Sequence, residues 1–113
     1  MTVGILREIR RKGRTSLVAS ETPLPPEWDE NVLSILERAL PRITDQVRSL
    51  PGVVAARAVI QRGVPFGRSN AFLVAVAGES LEDAAAGMDG IISRCRQGLE
   101  AEGIVFPLPE RKP

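Results

Sequence analysis

The sequence predicts an α+β fold, a two-layer sandwich in which a mainly antiparallel sheet carries two main helices on one face. Two kinds of segment predict it. Short apolar or β-branched stretches, typical of strands, lie near residues 14–19, 53–61, 71–77 and 104–108. Longer stretches with apolar residues every three or four positions, typical of amphipathic helices, run from Pro26 to Leu50 and from Ser80 to Gly103. At 113 residues the chain has the length of a single domain, residues 1–113.

The first segment has two interpretations. Val3, Leu6 and Ile9 recur at three-residue spacing, which favours a short helix ending at Gly13, although a strand is also compatible with these residues. Residues 15–19 are then expected to form a strand. The prolines between residues 20 and 26 predict an extended connector, because proline has no backbone donor.

The long helix predicted from Pro26 contains a second proline. Glu27, Asp29 and Glu30 are placed in its first turn, where negative charge favours the positive end of the helix dipole. Pro41 removes one backbone donor within the apolar pattern. We expect either a kink at Pro41 or a second helix that begins there.

The two central strands differ in their alternation. Residues 53–61 place apolar side chains at every even position, which predicts that Val54, Ala56, Ala58 and Ile60 face the helices. Residues 71–77 are apolar on both faces. Because side chains alternate along a strand, the helices can cover only one of these faces, and the other requires a different cover.

The second helix is predicted to begin at Ser80, whose side chain caps it ahead of two acidic residues. Cys95 lies on its apolar stripe and is therefore interpreted as a buried structural residue. Gly103 is expected to end the helix in the left-handed conformation. Residues 104–106 then predict a final strand.

Composition excludes several kinds of site. The fifteen Lys and Arg residues and fourteen Asp and Glu residues leave a net charge of +1, so no overall field attracts nucleic acid or a membrane surface. The basic cluster between Arg7 and Arg14 is interpreted as a solvated face. The apolar run around Phe72 to Ala77 is far shorter than the ~20 residues of a membrane-spanning helix.

Histidine is absent and cysteine occurs once. Histidine-based triads and histidine-containing zinc sites are therefore impossible, and we predict no catalytic residues, no metal and no cofactor. The single cysteine has no partner for an intrachain disulfide, and the sequence begins without an apolar signal segment, which predicts a cytoplasmic protein.

The stretch RGVPFGRSN, residues 62–70, partly matches a phosphate-binding loop. That loop requires a helix after it, whereas here an apolar strand follows, so we interpret residues 63–70 as a hairpin loop that does not bind nucleoside triphosphates. The loop is basic, and weak anion contact by Arg62, Arg68 and Asn70 is the remaining alternative.

The layout resembles the carboxy-terminal domain of the enhanced-serine-sensitivity family, SseB. The matching segments are Pro23–Pro26, Pro51–Ala56, Leu73–Val76 and Ile104–Leu108. The resemblance implies an α+β domain with an accessory or binding role, and no catalytic residues. Residues 92–111 are also similar to the end of the soluble domain of small-conductance mechanosensitive channels, which implies a ferredoxin-like βαβ unit.

These patterns lead to a hypothesis of a non-enzymatic protein-interaction module. The alternative is a domain that binds a small anion or another small ligand. We expect the uncovered sheet face to bind a second copy of the chain or another protein, through Val53, Val59, Leu73, Ala75 and Ala77. The competing expectation is that residues 3–9 of the same chain cover this face.

Overall fold

A computed structural model describes residues 5–10, 15–63 and 70–106. The elements, in chain order, are β1 (Ile5–Arg10), β2 (Ser16–Pro23), α1 (Glu30–Arg48), β3 (Val53–Gln61), β4 (Ala71–Gly78) and α2 (Leu81–Glu100). An antiparallel sheet forms one layer and the two helices form the other. The predicted α+β fold is therefore confirmed.

The sheet has the strand order β1-β2-β4-β3, and every neighbouring pair is antiparallel. Strand β4 is internal and pairs with β2 on one side and with β3 on the other. The direct antiparallel connection of β3 to β4 confirms that the segment between them joins two strands. Strand β3 lies at one edge of the sheet.

The first segment forms a strand and not a helix. Ile5–Arg10 pairs with Arg10 opposite Ser16 and Ile5 opposite Glu21. The three-residue spacing of its apolar residues favoured a helix, but pairing with the neighbouring strand β2 satisfies the backbone of all six residues as a strand. Residues 5–9 therefore extend the sheet at its edge and do not lie across its face.

Strand β2 is longer than the sequence predicts. It continues from Ser16 to Pro23, where Pro23 is the last residue and lies opposite Ala71. A proline is tolerated at the end of a strand because only one ladder donor is lost there.

Helix α1 begins later than predicted. Asp29 is its N-cap and accepts a hydrogen bond from the amide of Val32 at 3.1 Å, so Glu30 alone supplies an acidic side chain to the first turn. Pro26 lies before the helix, in a turn. Pro41 lies inside a helix that continues to Arg48, which excludes the alternative of a second helix beginning at Pro41.

Helix α2 agrees closely with the prediction. Ser80 is its N-cap and its hydroxyl accepts from the amide of Asp83 at 3.1 Å. Gly103 follows the helix with a φ of +79°, the left-handed conformation that glycine adopts most easily.

The expected final strand is wrong for Ile104–Phe106, which the structure places outside any strand. Residues 107 and 108 lie outside the described residues. Phe106 is buried against the rings of Phe72 and Trp28, with centroids 6.0 Å and 6.5 Å away. Residue 106 is held in place by the packing of its aromatic side chain into the core and not by strand pairing. Because no strand follows α2 within the described residues, residues 71–106 do not form the expected ferredoxin-like βαβ unit.

The core lies between the helices and one face of the sheet. Phe72, Val74 and Val76 of β4 are buried there, together with Leu36 of α1 and Met88 of α2. Gly87 lets α2 approach the sheet closely, since a Cβ at this position would lie 2.7 Å from Cγ1 of Val76. Val76 is fully buried and β-branched, so it has little freedom to move away.

We predict opposite effects for two glycine substitutions in α2. Gly98→Ala should raise the free energy of unfolding by about 0.5–1 kcal/mol, because nothing lies within 4 Å of the added methyl and alanine favours the helix. Gly87→Ala should lower it despite the same propensity gain, because the methyl displaces α2 from β4. Urea denaturation of both variants measures the difference. Equal stabilisation by the two substitutions would contradict the close packing at Gly87.

Candidate interaction surface on the open sheet face

The side of the sheet turned away from the helices is called here the outer face. At one end of the sheet, Pro23, Ala71 and Gln61 form one described row of this face. The rest of its described part consists of three residues of each of three strands: Leu17, Ala19 and Glu21 of β2, Leu73, Ala75 and Ala77 of β4, and Ala55, Arg57 and Val59 of β3. Seven of these nine residues are apolar. All nine are half-buried or exposed, in contrast to the buried residues that alternate with them in β4.

Register arranges the nine residues in rows across the sheet. Ala19 and Arg57 lie opposite Ala75, one on each side of it. Glu21 and Val59 flank Leu73 in the same way. The outer face thus has a strip of β4 side chains at its centre, with an acidic residue on one side and a basic residue on the other.

A shallow groove of about 340 Å³ crosses this strip at Leu73 and Ala75. Ala19 and Ala75 form the floor of the groove, which is deepest there because their side chains are short. The longer side chains of Leu73, Glu21 and Arg57 also line it. Glu21 and Arg57 have no hydrogen bond or ion pair with any other residue whose side chain the structure describes. The groove therefore combines an apolar floor with two charges of opposite sign.

Val53, expected on the outer face with Val59, lies on the helix side. A bulge between Val53 and Ala55 shifts the alternation of β3. Val53 packs against the core near Gly87, while Val54, expected to face the helices, is 55% exposed. Val59, Leu73, Ala75 and Ala77 lie together on the outer face as predicted.

Sequence reasoning missed Leu17, Ala19, Glu21, Ala55 and Arg57 as members of this surface. The β2 residues are hard to assign because their alternation is ambiguous: the outward Leu17 and Ala19 are more apolar than the inward Ser16 and Ser20. The sequence did contain a signal for Arg57. It is a charged residue among the odd-numbered positions of β3, and a charge at that position predicts exposure to solvent.

Arg62, which follows β3, ties the end of that strand to α1. Its guanidinium donates to Glu30 Oε2 at 2.5 Å and to Glu37 Oε2 at 2.8 Å, with further bonds from Nε to Glu30 and from Nη2 to Glu37. These hydrogen bonds lower the pKa of both carboxyl groups and raise the pKa of Arg62. Two carboxylates thus compensate the charge of Arg62, which counts against this residue as an anion ligand.

The second proposed anion contact, Asn70, has a structural role of its own. Asn70 closes the base of the loop, because its Oδ1 accepts from the amide of Gly63 at 3.0 Å and its carbonyl accepts from the amide of Leu24 at 2.8 Å. Arg68 lies outside the described residues.

Cys95 is buried on the inner side of α2, as its place on the apolar stripe predicts. Burial raises the pKa of its thiol to about 12, because desolvation disfavours the thiolate. No group of three or more potential metal-ligating side chains occurs in the described part of the chain. No described helix is long and apolar enough to cross a membrane.

No protein-family model matches the sequence, and no curated protein is significantly similar to it.

The Arg62 contacts predict a pH-dependent contribution to stability. The pKa values of Glu30 and Glu37 are lower in the folded state than the ordinary value of 4.5, so their contribution is present above that pH and is lost as the pH falls through the folded values. Arg62→Ala should lower the melting temperature at neutral pH, and the difference from the wild type should shrink in acid.

Melting curves of Arg62→Ala from neutral pH to acid pH below the folded pKa values of Glu30 and Glu37 test the prediction, with Arg42→Ala as the control. Arg42 is an exposed arginine of α1 without a described ion pair. A loss of stability in Arg62→Ala that is the same at every pH would show that the carboxyl groups are not involved.

Burial of Cys95 predicts slow reaction with thiol reagents. Ellman's reagent at neutral pH should label the native chain at least about a hundredfold more slowly than the denatured chain, because the thiolate is both scarce and inaccessible. Arg42→Cys places a second thiol at an exposed position of α1 and should react rapidly in the native protein. Rapid labelling of native wild-type protein would contradict the structural role of Cys95.

Proposed function

We propose that this chain is a non-enzymatic protein-interaction module that binds its partner through the outer face. The observation that carries the proposal is the central strip of Leu73, Ala75 and Ala77, which the helices leave uncovered. Burying apolar surface stabilises a complex by about 25 cal/mol per Å² buried. Contiguous apolar patches that are exposed to solvent commonly mark interaction sites.

The chemistry of the described side chains supports a binding role over catalysis. Structural contacts account for the groups whose pKa values are shifted. Arg62 binds Glu30 and Glu37, and Cys95 is buried in the core. Perturbed ionisable groups in a cleft would favour an enzyme. None of these four groups lines the groove on the outer face.

An accessory role of the kind that the SseB resemblance implies belongs to this proposal, as does a cytoplasmic location. Both are compatible with a chain whose lone cysteine is a buried thiol. The alternative of an anion-binding domain is less favoured, because Arg62 already donates to two carboxylates.

The proposal predicts that a charge on the outer face abolishes partner binding. Immobilised wild-type chain should retain a partner, whether another protein of the source cell or free copies of the chain itself, and Val59→Glu should retain at least about tenfold less. Val59 is 40% exposed on the edge strand, so the substitution should not disturb the core.

Two controls separate binding from folding. Arg42→Glu adds the same negative charge to α1, on the other layer, and should bind as the wild type does. Val53→Glu, on the helix side of the same strand, should instead lower the melting temperature, because it buries a charge against the core. Equal retention by wild type and Val59→Glu, or no retained partner at all, would contradict the proposal.

A further inference from the structure

We infer that the partner on the outer face is a second copy of this chain, bound face to face about a two-fold axis that places Glu21 of each copy opposite Arg57 of the other. The inference rests on the proposed function, because it identifies the occupant of the same surface. It is carried by the arrangement of charge on that surface, by its small side chains and by the properties of the sheet edge.

The two charges lie on opposite sides of the apolar strip. Glu21 is aligned with Leu73 in β2, and Arg57 is aligned with Ala75 in β3. The two residues are two strand spacings apart across the sheet, roughly 9.6 Å, with β4 between them, and two residues apart along the strands, roughly 6.8 Å. A partner that covers the strip must therefore present a basic group over Glu21 and an acidic group over Arg57 at the same separation.

A second copy meets this requirement without any further assumption. A two-fold axis in the plane of the interface, perpendicular to the line from Glu21 to Arg57 and through its midpoint, exchanges the two positions. Each glutamate then faces an arginine, and Leu73 and Ala75, which lie near the axis, face their own equivalents. Such self-complementarity is the defining property of an isologous dimer interface.

The size of the outward side chains suits a second sheet. Four of the nine residues in the three rows around Glu21 and Arg57 are alanines: Ala19, Ala55, Ala75 and Ala77. Small side chains let two sheets approach to the ordinary stacking distance of about 10 Å, at which the larger Leu17, Leu73 and Val59 can interdigitate.

Dimerisation through the sheet edge is disfavoured by comparison. Arg57 is the middle residue of the nine-residue edge strand β3. The symmetric antiparallel pairing of β3 with its copy that uses the full strand is centred on Arg57, so it would place the two Arg57 side chains directly opposite each other, and like charges in that position are destabilising. The bulge near Val53 also interrupts the edge, as edge strands that avoid pairing commonly do.

The area of the outer face predicts a weak dimer. Four strands of about seven residues cover roughly 19 by 23 Å, so two copies would bury about 900 Å² in total. This value is at the low end for specific interfaces. The dimer should therefore dissociate on dilution from high micromolar concentration.

Charge reversal at the two positions tests the inference. Sedimentation equilibrium of the wild type should give the dimer mass at high micromolar concentration. Glu21→Arg and Arg57→Glu should each raise the dissociation constant by at least about tenfold, because each places like charges opposite one another. The double variant exchanges the two charges and should restore dimerisation.

Mixing the two single variants gives the sharpest result. In a mixed dimer, one copy carries arginine at both positions and the other carries glutamate at both, so both opposite-charge pairs form again. An equimolar mixture should therefore dimerise although neither variant does so alone. A folding defect cannot be rescued in this way. Arg42→Glu, a reversal on α1, should leave the dissociation constant unchanged.

The outcomes distinguish this inference from the proposed function. If the wild-type chain is monomeric at high micromolar concentration, the partner is not a second copy and the inference is wrong. The proposed function still holds in that case if immobilised wild type retains a different protein that Val59→Glu does not retain. A dimer that neither single reversal weakens also overturns the inference, because it must form through another surface. Loss of the dimer in both single variants without recovery in the mixture overturns the Glu21 to Arg57 pairing.

Discussion

The alternation of side chains along β4 is the constraint on which the other features of this structure depend. Phe72, Val74 and Val76 point to the helices, and Leu73, Ala75 and Ala77 point away from them. Both sets are apolar, but α1 and α2 lie on one face only. An internal strand with two apolar faces is normally covered on both, so the composition of β4 accounts at once for the helical layer and for the proposal that another molecule covers the outer face.

The side chains around β4 serve this arrangement in different ways. Gly87 brings α2 close to Val76, which seals the inner face. Arg62 joins the end of β3 to α1 through Glu30 and Glu37, so the edge strand is anchored at one end by ion pairs on the surface of the domain. The bulge near Val53 turns that valine into the core. The outer face is thereby left with small apolar residues and the two charges, Glu21 and Arg57.

Local signals in the sequence predicted much of the fold. Ser80 as a helix cap, Gly103 as a helix terminator and the bounds of β3 were correct because each depends on residues close together in the chain. The apolar spacing of the first segment favoured a helix and left a strand as the alternative, and only its pairing with β2 decides for the strand. Val53 was assigned to the wrong face because a bulge leaves no reliable mark in the sequence. The alignment of Glu21 and Arg57 on either side of β4 depends on the register of three strands, which local patterns do not determine.

The central claim is that the outer face is covered by a second copy of the chain. The most direct measurement is an isotope-filtered nuclear Overhauser experiment on an equimolar mixture of ¹³C-labelled and unlabelled wild-type chain, at the concentration where it self-associates. The account predicts cross-peaks between copies from the methyl groups of Leu73 and Ala75, which lie near the proposed two-fold axis. The absence of cross-peaks from these methyl groups, or cross-peaks confined to α1 methyl groups such as those of Ile35, would contradict it.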